Sequence, residues 1–196
     1  MPVLQILIGG TSHTGKSTLA ADLGKITRWP VESTDDMARH PGRPWPDVRP
    51  QVAEFYQSLS PATVHWFLKV HHENMWPLIR HRLETALGNK ESLIVEGSAL
   101  RPDRIADLQS DDVFACLLHA SPERLTERMH IGSDYWNRDR DTRMIIDRFL
   151  ERSIRDGKDL HKSARQHGLP IFDAEQPDLL AVVLNSLAQR SLRPNE

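Results

Sequence analysis

Apolar and polar positions alternate in blocks whose spacing changes along the chain, and the changes mark out elements. Val3 to Gly9 is a nearly continuous apolar run, as expected of a parallel strand covered on both faces. From Lys16 to Thr27, Leu19, Ala20, Leu23 and Ile26 recur at helical spacing, and Pro30 stops any continuation. Val31 to Ser33 reads as a short second strand that delivers Thr34, Asp35 and Asp36 at its end. The stretch His40 to Pro46, H-P-G-R-P-W-P, is too rich in proline for helix or central strand and is expected to be a rigid, exposed loop. Ser60-Pro61 is a capped helix start. That helix carries Val64, Phe67, Leu68, Leu78, Ile79 and Leu83 toward Gly88, with a kink or split expected at Pro77.

Leu93-Ile94-Val95 predicts a third strand ending in Glu96-Gly97, and Val113 to Leu118 a fourth. Ser121-Pro122-Glu123 repeats the cap-plus-proline signature. Met144 to His167 reads as mostly helical with a stop at Gly168, Leu169 to Phe172 as a fifth strand, and Asp178 to Leu192 as a closing helix. Strands alternate with helices from end to end. The pattern predicts an α/β chain: a three-layer α/β/α sandwich around a mainly parallel five-stranded sheet, in one domain spanning 1–196.

Between the first strand and the first helix stands G-T-S-H-T-G-K-S, Gly10 to Ser17. This is the phosphate-binding loop pattern G-x-x-x-x-G-K-[ST] in the setting it requires. Gly10 and Gly15 let the backbone wrap so that amide groups face phosphate oxygens. Lys16 reaches the terminal phosphates as a point charge, and the Ser17 hydroxyl is a ligand for Mg²⁺. Thr11, His13, Thr14 and Thr18 complete the expected nucleotide-binding segment.

Composition narrows the classes further. The chain has 196 residues, 39% hydrophobic and 27% charged, with a formal net charge of −2, which gives no electrostatic reason to expect nucleic acid or an anionic membrane as partner. The single cysteine, Cys116, lies in an apolar run and reads as core filler. Ten histidines are scattered without cysteine partners or H-E-x-x-H spacing, so no structural zinc site is expected. No apolar run approaches about 18 residues and no basic leader precedes the first strand, so a cytoplasmic protein is the default expectation; a monomer or a homodimer is expected.

In parallel α/β sheets ligands gather at the carboxyl ends of the strands. Asp35 or Asp36 is placed there to orient an acceptor hydroxyl and take its proton, with helix capping as the competing role. Asp36 is also a candidate metal ligand. Glu96, an acid closing an apolar strand, is expected to hold Mg²⁺ directly or through water and to face the acceptor. Arg124, Arg128, Arg138, Arg140 and Arg143 are interleaved with acids. Most of them read as a solvated helix face, but one or two are expected to serve a mobile lid at approximately 128–143 that neutralises charge on the transferring group. Arg128 and Arg138 are the first choices, bracketing segment 130–137 with Gly132 as hinge. Five tryptophans invite an aromatic wall for a ring-bearing acceptor. Trp45 and Trp66 are the candidates, alongside Trp76, with core packing as the alternative. Arg39 and Arg43, flanking His40, are candidates to grip an anionic acceptor, with ordinary solvated surface as the alternative.

G-G-T-S-H-T-G-K-S-T, then S-T-D (Ser33 to Asp35), then I-V-E-G (Ile94 to Gly97) resemble 2-phosphoglycerate kinase and its P-loop kinase relatives. More distantly the layout is similar to chloramphenicol phosphotransferase, zeta toxin and the shikimate and gluconate kinases. The resemblance implies a nucleoside-monophosphate-kinase-like fold with a helical lid, and ATP-dependent phosphorylation of a small-molecule hydroxyl with Mg²⁺. By that resemblance Asp35 is the acceptor-orienting aspartate, Lys16 and Ser17 make the phosphate and Mg²⁺ contacts, Glu96 is the acid of the third strand, and Arg128 is the first lid arginine. A regulatory ATPase and a polynucleotide-end kinase share the loop and remain alternatives.

Overall fold

Five parallel strands form the centre of the molecule in the order β2-β3-β1-β4-β5. They are β1 (Gln5–Gly9), β2 (Val31–Ser33), β3 (Leu93–Gly97), β4 (Val113–His119) and β5 (Ile171–Asp173). The structure is a computed structural model and describes residues 4–38 and 43–191. Helices α1 (Lys16–Thr27), α2 (Thr34–Met37), α3 (Pro50–Ser58), α4 (Pro61–Gly88), α5 (Pro102–Ile105), α6 (Pro122–Ser133), α7 (Arg140–Gln166) and α8 (Leu179–Ser191) connect and cover them.

The period of two along each strand sorts side chains onto two faces. Ile6, Ile8, Ile94, Phe114, Cys116 and Leu118 pack with Leu19, Ala20 and Leu23 of α1 and Val183 of α8. Leu7, Val95, Ala115 and Leu117 pack on the opposite face with Met75, Ile79 and Leu83 of α4 and Leu160 of α7. A third cluster, away from the sheet, joins α3, α6 and α7 through Tyr56, Met129, Ile146 and Phe149. Full burial pushes the Cys116 thiol up to about 12, so it is an inert core group.

The two Ser-Pro starts behave as expected: Ser60 and Ser121 accept hydrogen bonds from the amides of Thr63 and Arg124. Three expectations change. Pro77 lies inside α4 without splitting it, and Met75, Ile79 and Leu83 on either side of it are buried in one core cluster. Residues 40–42 of the proline-rich loop lie outside the described residues; of the rest, Arg43 and Pro46 are exposed as expected, but Pro44 and Trp45 are buried, with the indole 5.3 Å from the His13 ring and 5.2 Å from Phe149. Gly132, expected in the least helical piece, sits within α6. The chain breaks two residues later at Asp134, which takes the left-handed conformation at φ 53° before a 3-10 turn, Tyr135–Asn137. Among the described residues, no helix is long and apolar enough to cross a membrane.

Candidate active site

The central strand β1 ends at Gly9 between β3 and β4, and the chain leads from it to β2 on one side of the sheet and later to β4 and β5 on the other, a strand order that opens a crevice at the carboxyl edge. The loop from Gly10 to Gly15 fills this crevice. It carries positive φ at Gly10 (152°), His13 (65°) and Gly15 (97°). At Gly10 a Cβ would lie 2.5 Å from the Leu118 carbonyl oxygen, so only glycine fits against β4. Among the described residues no side chain caps α1, which leaves its first amides open to an anion.

A cavity of about 1160 Å³ surrounds this loop. That exceeds the roughly 300–1,000 Å³ usual for a single small ligand and gives room for two. Six of the expected nucleotide-binding residues line it: His13, Thr14, Gly15, Lys16, Ser17 and Thr18. Gly10 and Thr11 instead support the loop. Thr11 is buried; its carbonyl accepts from Lys16 Nζ at 2.7 Å, and its hydroxyl donates to the Ser153 carbonyl of α7 at 3.0 Å. Burial lowers the Lys16 pKa, opposed by the carboxylates of Glu96, Asp35 and Asp156.

Asp35, Asp36 and Glu96 line the same cavity. Pairing between β2 and β3 sets Ser33 beside Glu96, so the turn that follows β2 opens next to the end of β3. Ser33 caps α2 by accepting from the Asp35 amide at 3.3 Å; a serine takes the capping role, and neither aspartate side chain is spent on it. The Ser17 hydroxyl donates to Glu96 Oε1 at 3.0 Å. This hydroxyl–carboxylate pair, with Asp36 on the same wall, is an oxygen-only set that suits Mg²⁺, a hard cation that keeps water and phosphate among its ligands. Among the described residues no group of three or more His, Cys, Asp or Glu gathers to hold a metal unaided.

Arg128 reaches the loop from α6, donating to the carbonyls of His13 at 3.1 Å and Thr14 at 2.7 Å. Arg138 takes no part in the lining: its Nε donates to the Ser133 carbonyl at 2.8 Å and closes the end of α6. Trp45 is on the wall, but Trp66 is 62% exposed. The buried positions of α4 run through Val64, Leu68, His72 and Met75, and Trp66 falls on the other side of the helix. Trp29 and Trp76 are half-buried and pack against the core clusters on the two sheet faces. Arg39 lies outside the described residues.

Several lining residues were not anticipated. Arg152 and Asp156 come from the middle of α7, one turn apart. Arg152 lies over the Phe149 ring at 4.2 Å and donates to the Ser12 hydroxyl at 3.4 Å. Asp156 is fully buried; Oδ1 accepts from Arg101 Nη1 at 3.0 Å, and Oδ2 has no hydrogen-bond partner among the described residues. The signal was present in the spacing, because both sit at core-facing positions with Phe149, Ser153, Leu160 and Ala164. A charged residue on the buried stripe of a helix is there to meet something.

Sheet, loop and cavity together define a P-loop protein of the nucleoside-monophosphate-kinase-like fold. Solved structures share it. A sugar kinase from Janibacter sp. superposes with TM-score 0.57 at 18% identity, over 95% of this chain and 95% of that one. A gluconokinase from Sinorhizobium meliloti gives 0.54 at 19%, covering 97% and 94%. A deoxyadenosine kinase from M. mycoides with bound dATP gives 0.54 at 17%, covering 94% and 99%. At these identities the likeness is one of fold. No family model matches the chain, and no curated protein matches it.

Proposed function

We propose that the protein is an ATP-dependent phosphotransferase that moves the γ-phosphate to a hydroxyl of a small-molecule acceptor. One observation carries this reading: the carboxylates at the ends of β2 and β3 line one cavity with the phosphate loop. A protein that only binds nucleotide has no use for an acceptor-sized space bounded by Asp35 and Asp36. The fold-mates that are gluconate, sugar and deoxyadenosine kinases and the motif resemblance to 2-phosphoglycerate kinase support the same chemistry.

In the proposed reaction the acceptor oxygen forms the new bond to the γ-phosphorus. The bond from that phosphorus to the bridging oxygen breaks, and ADP leaves with its electron pair. Asp35 orients the acceptor hydroxyl and receives its proton. The loop amides and Lys16 hold the phosphate oxygens, and their dipoles and charge are fixed before the substrate arrives. Arg128 keeps the loop in shape through its two carbonyl contacts and places a cation beside the nucleotide. Magnesium, when bound, neutralises phosphate charge during the transfer; Ser17 would hold it, with Glu96 and Asp36 directly or through water. Ala174, Leu179 and Leu180 supply an apolar stretch of wall suited to a flat base. Segment 128–143 is the proposed lid, bending at Asp134.

ADP release measured with and without a panel of hydroxyl-bearing metabolites tests the proposal. Strong stimulation by one compound, with phosphate recovered on that compound, is the expected result. Slow hydrolysis that no acceptor changes contradicts it.

A further inference from the structure

Beside the reaction cavity lies a second one of about 400 Å³, between α3 and α4. Its character is different. Val52, Phe55, Tyr56, Val64, Phe67 and Leu68 line it, and the aromatic rings meet edge to face, Phe55 with Tyr56 at 5.1 Å and Phe55 with Phe67 at 5.3 Å. The two cavities share Leu68 and Arg152 as wall. His71 lines the apolar cavity as well, and the Asp35 carboxylate acts on its ring, opposing the lowering of its pKa by burial. The apolar space therefore adjoins, across Leu68 and Arg152, the cavity whose wall carries Asp35.

We propose that the acceptor is an alcohol carried on an uncharged, mostly hydrocarbon ring system, seated between α3 and α4 with its hydroxyl turned toward the wall of Leu68 and Arg152. This rests on the phosphotransferase reading and narrows it. A sugar, a polyol or a phosphorylated acid placed here would bury several polar groups against hydrocarbon, each short of a partner. A ring system gains instead from the faces and edges of Phe55, Tyr56 and Phe67. The wall that sequence assigned to Trp45 and Trp66 is supplied chiefly by these three rings. Polar lining comes from Arg49, Gln51, His71 and Arg152, enough to orient one or two oxygens but not a polyol.

The test uses the full chain and 2-naphthalenemethanol as probe, followed by naphthalene fluorescence, with Mg-ATP binding measured separately by calorimetry. Saturable binding to the wild type is expected, not displaced by gluconate or 2-phosphoglycerate. Phe67 is 43% exposed and meets Phe55 edge to face, so Phe67→Glu sets a charge in the cavity at the cost of that one ring contact, and Phe67→Ser shows what losing the contact alone does. Phe67→Glu should weaken the probe about tenfold or more and leave Mg-ATP affinity unchanged, and Phe67→Ser should weaken it less. If Mg-ATP binds and the probe does not, or if Phe67→Glu binds the probe as the wild type does, the apolar acceptor is overturned and the kinase reading survives. Phosphorylation of gluconate or 2-phosphoglycerate has the same consequence. Failure to bind Mg-ATP overturns both.

Discussion

Acidification tests how the phosphate loop is assembled. His13 stands inside the loop at φ 65°, with its ring between Trp45 and Phe149. Burial lowers its pKa from 6.5 to about 4, and the neighbouring cations Arg43, Lys16, Arg152 and Arg128 add to the effect. Above pH 6.5 the ring is neutral in folded and unfolded chains alike. Between 6.5 and about 4 the unfolded chain takes up a proton that the folded one resists, so stability falls as the pH falls. The full displacement corresponds to about 3 kcal/mol as a ceiling, and solvent screening at a half-buried site brings it to about 1–2 kcal/mol. Urea unfolding at half-unit steps from pH 7 to pH 4 measures it, with His13→Asn as the reference. Asparagine tolerates positive φ, and the lost ring packing is a constant offset at every pH. Other acidic groups titrate in both proteins and cancel in the difference. The wild type should therefore lose about 1–2 kcal/mol more than the variant over this range. Parallel curves would refute the placement of a neutral imidazole among four cations. Mg-ATP brings negative charge against those cations, so its binding at about pH 5 should take up protons, seen as a buffer-dependent heat.

Asp35→Asn should lower turnover by about 10²–10⁴-fold with nucleotide affinity largely kept, and steady-state kinetics beside calorimetry separate the two. If Asp36→Asn gives that signature and Asp35→Asn resembles the wild type, the roles are exchanged. At Gly97, φ is 158° and a Cβ would fall within 2.8 Å of Thr34 Cβ. Gly97→Ala must push the buried Thr34 and, with it, the turn that carries Asp35. A destabilisation of about 1–3 kcal/mol in urea is expected, with turnover falling more than ATP affinity; an unaltered protein contradicts the close approach. Arg101→Met strands the buried Asp156 carboxylate and should cost about 3–5 kcal/mol in urea unfolding. Arg82→Met, in a part-exposed pairing with Glu32 and Glu91, should cost about 1 kcal/mol or less.

Where sequence foretold structure, the information was local. The loop, the strand before it and the helix after it are written within one stretch, and the Ser-Pro caps act over three residues. The three inner strands, β1, β3 and β4, were legible because strands covered on both faces are apolar nearly throughout, while the short edge strands β2 and β5 were legible from their place between helices. What lay beyond reach was set by distant partners. The first turn of α3 begins at Pro50, and proline-rich flanks hid a helix whose Val52 and Tyr56 are buried by α7 and its neighbours. Trp66 and Phe67 are adjacent in sequence, yet only Phe67 reaches a cavity wall, a choice made by the rotation of α4. Arg138 and Arg128 looked equivalent as lid arginines. A 3-10 turn after Asp134 brings Arg138 back onto the end of α6, while Arg128 remains against the loop.

The central claim is that main-chain amides from Gly10 to Ser17, with Lys16, hold a triphosphate. Isothermal titration of Mg-ATP into the wild type and into Lys16→Ala addresses it most directly. Saturable heat with the wild type and a large loss of affinity in the variant is the predicted result. A folded wild type that gives no heat with Mg-ATP or Mg-GTP, or a variant that binds as tightly as the wild type, contradicts it.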